Sequence, residues 1–292
     1  MGNSTAYDIY IAPFLRDFHV FFPIFLSWFV VQWAASHLLG FLFGPPFKRL
    51  PKEKREDVIV RSVSVCNGLL MTGAAVCFLH DLRQNNFVFH NDQYREVPGY
   101  RFFRIAIVSY FAWDIVVCHV YKWSFIWKVH AVASFTGAYL LSFPFSDHYG
   151  SYFTGMFELS NSPLHLSSIL RTLEISSLLP FATAMEGLFA ILFVCVRVVG
   201  GSIVTASWLK HTYMNLVANY YAGGTLVHGE VPLLISIVLI VIIQTLQYIW
   251  FVEIVKRVMA MFGISFSSSS ASSSCSSIEG DAVKKCVKAK QV

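Results

Sequence analysis

Three ionisable side chains interrupt apolar stretches of this sequence. Asp114 lies in SYFAWDIVVCHVY, His130 opens WKVHAVASF, and Glu158 sits in MFELSNSPLH. Charge in hydrocarbon is expensive, so such groups face a protein interior or a water-filled cavity and mark a functional site by default. An imidazole beside a carboxylate in a low dielectric works as a general base or activates a nucleophile. His130, with Asp114 as its orienting acid, is therefore the candidate catalytic pair. The same two residues also fit a buried hydrogen bond that only joins two helices.

Neighbouring residues extend this centre. His130, Ser134 and Gly137 share one helix face, a small polar face suited to close packing or to a lined cavity. Glu158 begins ELSNSP, where Ser160, Asn161 and Ser162 precede the helix-breaking Pro163. Arg197 sits inside FVCVRVVGG and needs a carboxylate or carbonyl partner, with Glu158 the first choice and Asp114 the second. Glu158, Ser160, Asn161, Arg197 and Ser134 are the expected lining of one intramembrane cavity. On α-helical spacing Asp114 shares a face with Val117 and Cys118 but not with His119. Glu186 and Arg197 are expected to make separate contacts. His80–Asp81, Asp147–His148 and His228–Glu230 fall near span ends and read as solvated.

Composition fixes the setting. Apolar residues make up 55% of the 292 and charged residues 13%, about half the charge of a soluble domain. The 27 Phe and seven Trp suit lipid-facing helices and bilayer interfaces. The net charge of +5 sits in loops and the tail, a pattern of membrane orientation rather than nucleic-acid binding. None of the six cysteines forms a CxxC pair. The four in apolar stretches, Cys66, Cys77, Cys118 and Cys195, read as buried free thiols. Cys275 and Cys286 fall in the tail, where Cys286 beside two lysines reads as an exposed thiol. No metal, disulfide framework or resident cofactor is expected. The N-terminus lacks the layout of a cleavable signal, and MGNSTA misses a myristoylation pattern at Ala6. Asn3 is a glycosylation candidate on a lumenal N-terminus.

The expected fold is all-α: a polytopic transmembrane helical bundle of about seven spans around a polar-ended cavity. The stretches are about 18–43, 58–80, 102–121, 125–144, 148–170, 181–204 and 231–255. The fifth, broken by Gly150, Gly155 and ELSNSP, reads as interrupted or re-entrant, the latter leaving six spans. Residues 205–230 read as a polar and aromatic connection. Residues 1–47 form the N-terminus and first helix, 48–262 the main domain, and 263–292 a disordered Ser/Lys-rich tail. Positive charge in the loop at 48–61 and in the tail puts both in the cytosol and the N-terminus in the lumen. The ending KAKQV, through Lys288 and Lys290, fits a retrieval address read by coat machinery at the endoplasmic reticulum.

The ordered set of features resembles the TLC domain, shared by translocating-chain-associating proteins, longevity-assurance ceramide synthases and a ceroid lipofuscinosis protein. The resemblance rests on the basic segment before RSVSVCNGLL, on SYFAWDIVV, KVHAVASF and ELSNSPLHLSSIL, and on the arginine helix VCVRVVGG, over about 48–262. It is nearer to members with this domain alone than to the synthases. The synthases carry a His-His pair, whereas here Ala131 follows His130. The resemblance implies a protein of the endoplasmic reticulum that binds membrane lipid in its cavity and influences lipid composition. An acyl-CoA-dependent N-acyltransferase of sphingolipid type, using His130 with acyl-CoA as co-substrate, is the alternative. A cargo or translocation adaptor is the second alternative.

Overall fold

A computed structural model describes residues 7–89, 92, 95–142, 146–222 and 230–261. Asn3, His228, Lys288, Lys290, Cys275, Cys286 and the Ser/Lys-rich tail lie outside the described residues.

All regular structure among the described residues is helical. The helices are α1 Ala12–Leu42, α2 Gly44–Lys48, α3 Lys52–Gln84, α4 Arg101–Val120, α5 Phe125–Ser142, α6 Asp147–Ser151, α7 Phe157–Leu159, α8 Asn161–Leu173, α9 Leu179–Leu192, α10 Gly201–Ala222 and α11 Glu230–Met261. Among the described residues, five stretches are long and apolar enough to cross a membrane: α1, α3, α4, the continuous run Ser176–Tyr221, and α11. The protein is an all-α integral membrane bundle.

Local sequence explains where the chain turns. Pro51, at ψ 150°, separates α2 from α3. α3 ends with Phe87 N–H donating to the Leu82 carbonyl and Asn86 N–H to that of Arg83. α4 ends the same way, through Trp123 to Cys118 and Lys122 to His119. This paired bonding needs a left-handed residue, usually glycine; here Asn86 (φ 53°) and Lys122 (φ 55°) adopt that conformation. Glu174 (φ 53°) reverses the chain between α8 and α9.

Side-chain bonds set how the helices run against one another. Asp17 near the start of α1 pairs with Arg101 at the start of α4, and Gln32 reaches Tyr121 just past the end of α4. Tyr139, late in α5, donates to the Tyr10 carbonyl. Asp81 with His148 and Asn67 with Glu158 set α3 antiparallel to α6–α8. Arg171 with Glu186 starts the return along α9, and Ser202 with Tyr248 joins α10 to α11. Small residues permit the tightest crossing: a Cβ added at Gly155 would fall 2.5 Å from the Ala75 nitrogen.

Three expectations about local structure are corrected. The basic segment is mostly helical, α2 and the first turns of α3 holding Lys48 and Lys52–Arg61. Residues 205–222 continue the preceding helix, because their aromatic residues serve a helix as well as a loop. The resulting 46-residue run spans about 69 Å at 1.5 Å per residue, well over the ~30 Å of a hydrocarbon core. Of the four cysteines in apolar stretches, only Cys118 is buried; Cys66 and Cys195 are exposed and Cys77 is intermediate.

Candidate functional site

The fifth traverse is interrupted. α6 passes into a π-helical turn over Tyr152–Met156, then α7, then a break at Ser160 before α8. A second π-helical stretch, Phe193–Gly200, lies between α9 and α10. Wide turns of this kind release carbonyls from the regular ladder and recur at functional sites. At membrane depth the freed groups must be met by neighbours, and here they are. Tyr152 Oη donates to the Val196 carbonyl at 2.6 Å, and Gln244 Nε2 donates to the Arg197 carbonyl at 3.2 Å.

Arg197 projects from the second stretch onto the break in the first. Its Nε donates to the Phe157 carbonyl at 3.1 Å and to Ser160 Oγ at 2.7 Å. Its Nη2 donates to the same carbonyl at 2.7 Å and to Asn161 Oδ1 at 2.8 Å. Gln247 Oε1 accepts from Nη1 at 3.4 Å, and the guanidinium lies 5.1 Å from the Phe157 ring centroid. The expected direct pairing with Glu158 is replaced by this carbonyl-centred contact. Helix breakage explains the difference: the Phe157 carbonyl lies at the break and is the nearest strong acceptor.

Glu158 joins the same knot through amides. Asn67 Nδ2 donates to its Oε2 at 3.0 Å and Asn161 Nδ2 to its Oε1 at 2.9 Å. Asn161 thus bridges Glu158 and Arg197 with its two ends. Glu158 and Arg197 are both buried. Asp114 makes one polar contact among the described residues, accepting from the Cys118 thiol at 3.9 Å, on the face that helical spacing gave it. It lies within electrostatic reach of Glu158. Tyr110 lies within electrostatic reach of both and donates to Ser64 Oγ at 2.9 Å.

The sequence of residues 57–256 matches the family model of the TLC domain. The chain belongs to the TLC-domain family. No curated protein matches it. The matched residues contain all of Asp114, His130, Ser134, Glu158, Ser160, Asn161 and Arg197.

Within the TLC domain, His130 has a distinctive position. Protein atoms surround it closely and Arg197 acts on it through space, yet its side chain is exposed rather than buried. Its ring meets Trp127 edge-on at 6.0 Å, and no hydrogen bond joins it to Asp114. Ser134 is half-buried, and Gly137 on the same face looks onto open space. That face makes no tight helix contact at Gly137. Lys128 comes within reach of the Cys118 thiol without pairing with Asp114. No cluster of three or more His, Cys, Asp or Glu among the described residues has the geometry to hold a metal ion.

The sequence reading missed Asn67, Tyr110, His165, Gln244 and Gln247. Their signal was present but weak: polar side chains at single positions in otherwise apolar helices, without charge to draw attention. It also misjudged the far end of the bundle. Asp81, Asp147 and His148 were read as solvated, but all three are buried. Asp81 accepts from His148 Nδ1 at 2.6 Å and from Arg95 Nη2 at 2.5 Å. Asp147 accepts from Arg104 Nη1 at 2.9 Å and from the Val97 amide at 3.4 Å. The segment 95–100 folds back over the helix ends and covers them. Glu186 pairs with Arg171 instead, at 2.8 and 2.7 Å, as separate contacts required.

Proposed function

We propose that this TLC-domain protein binds a membrane lipid in the space bordered by His130, Asp114 and the Glu158–Asn161–Arg197 knot, and through it influences membrane lipid composition. The observation that carries the reading is the buried Glu158–Asn161–Arg197 knot, which has Asp114 and His130 within electrostatic reach. Polar groups gathered at one part of an apolar helical bundle suit a ligand with a head group and chains. The protein resides in the endoplasmic reticulum, crosses the membrane seven times, and keeps its N-terminus lumenal and its lysine-rich tail cytosolic, where coat machinery reads Lys288 and Lys290. The positive charge of the 48–61 segment and the tail supports that orientation. Tags at both ends, probed by protease protection in microsomes, test it; a protected C-terminal tag overturns it.

Purification in mild detergent followed by lipid mass spectrometry tests the binding. A stoichiometric lipid, lost when Asp114 and His130 are both replaced by Leu while the protein stays folded, supports the reading. Absence of any retained lipid from the native protein overturns it. The openness of the His130 ring also favours a second reading, acyl transfer from acyl-CoA with His130 as base. In that case His130→Ala abolishes turnover, whereas a binding role leaves lipid retention intact in His130→Asn.

A further inference from the structure

The polar centre has more hydrogen-bond acceptors than donors to meet them. Asn67 is fully buried; its amide nitrogen is spent on Glu158, while its Oδ1 has no partner among the described residues. The Nδ1 of His165 is likewise buried and unpartnered. His165 follows Glu158 along the fifth traverse and feels the charge of Arg61 and, less strongly, of Arg197. The Asp114 carboxylate has only a thiol at 3.9 Å, a weak donor at long range. Most of the site's donors are meanwhile committed: Arg197 to Phe157, Ser160, Asn161 and Gln247, Asn161 to Glu158, and Tyr110 to Ser64, which leaves the single N–H of His130 against these acceptors.

Buried polar groups are nearly always satisfied, and each exception asks for a water, an ion or a ligand. A ligand that supplies O–H or N–H groups would meet Asn67 Oδ1, the Asp114 carboxylate and, with its proton on Nε2, His165. A phosphate or carboxylate would bring further acceptors to a place that already holds two carboxyl groups and whose guanidinium is engaged. We propose that this site selects lipids whose head group donates hydrogen bonds, a hydroxyl or an amine, over lipids that only accept them. The inference rests on the lipid-binding reading and adds the head-group class to it.

The test uses four probes with one oleoyl or oleyl chain each: 1-monooleoylglycerol, oleylamine, methyl oleate and oleyl methyl phosphate, the last two without an O–H or N–H donor. Binding to the delipidated full-length protein is measured by native mass spectrometry. Monooleoylglycerol, oleylamine or both should bind about tenfold more tightly than the other two, the effect of one hydrogen bond to a charged or buried group. Preference for oleylamine over monooleoylglycerol assigns an ammonium, and the reverse assigns a hydroxyl. Asp114→Asn, which touches only the thiol and so leaves the fold intact, should cut the preference severalfold; Asn67→Ala should do so too. Equal binding of all four probes, or a preference untouched by Asp114→Asn, overturns the inference and leaves water as the occupant. Failure of every probe to bind overturns the lipid reading itself.

Discussion

Replacing Arg197 tests the architecture of the polar centre most directly. The guanidinium meets four partners: the Phe157 carbonyl, Ser160, Asn161 and Gln247. Hydrogen bonds between membrane helices average ~0.6 kcal/mol and reach ~1.7 kcal/mol, so losing all five bonds to these partners costs about 3–8 kcal/mol. Removing one member of a buried charged set costs a similar ~3–5 kcal/mol. At about 2–4 °C per kcal/mol the loss lowers the unfolding midpoint by about 6–30 °C. Arg197→Leu should show that shift in thermal unfolding followed by tryptophan fluorescence in detergent. Arg197→Lys should lose about half as much, because one ammonium cannot span a carbonyl, a hydroxyl and two amides as the planar fork does. Glu158 touches Asn67 and Asn161 but not Arg197, so Glu158→Gln alone should be milder than Arg197→Leu. In the double variant the Gln should restore part of the loss, since the carboxyl group no longer lacks its nearby cation. A midpoint for Arg197→Leu within about 1 °C of wild type would refute the argument, as would an Arg197→Lys protein of full stability.

Gly155→Val should destabilise the fold by about 1–3 kcal/mol or more through overpacking, since even its Cβ would meet the Ala75 nitrogen at 2.5 Å; Gly137→Ala, facing open space, should change the same melting curve little. Asp81→Asn should loosen segment 95–100 by weakening its contacts with His148 and Arg95, and limited proteolysis should then cut there faster than in wild type. Replacing Lys288 and Lys290 together by Ser should let part of the protein reach later secretory compartments, read by microscopy and glycan processing of a lumenal tag; unchanged residence would show that the ending is incidental.

The helical bundle was legible because hydrocarbon permits few structures: apolar stretches of sufficient length must be helices when every backbone group has to be met internally. Asp114, Glu158 and Arg197 were legible for the same reason, as charge in such stretches is rare. Their partners were not. Nothing in the sequence says that Arg197 will find the Phe157 carbonyl before Glu158, because that depends on where two helices lose their regular turn. The end of the bundle was misread for a related reason. Asp81, Asp147 and His148 stand near span ends, where solvation is the ordinary expectation, and only the fold brings segment 95–100 over them. The cysteines carry a different lesson. Cys66 and Cys195 have apolar neighbours in sequence, yet they are exposed, because a membrane bundle turns apolar surface outward as well as inward.

The irregular turns and the candidate site share one physical cause. A regular helix satisfies its own carbonyls and offers a ligand only side chains. The turns at Tyr152–Met156 and Phe193–Gly200 and the break at Ser160 give that up, and the released carbonyls draw Tyr152, Gln244 and Arg197 into fixed positions. Those three anchors fasten the fifth, sixth and seventh traverses to one another. The third, α4, contributes Asp114 without any anchor beyond the Cys118 thiol, and α5 contributes His130 with none recorded. One side of the site is therefore held by a hydrogen-bonded frame, while the other presents an acid and an imidazole with capacity to spare. Rigid support facing unspent polar groups is the arrangement a head-group site requires, since a ligand that completes the open side need not first break the bonds of the closed one.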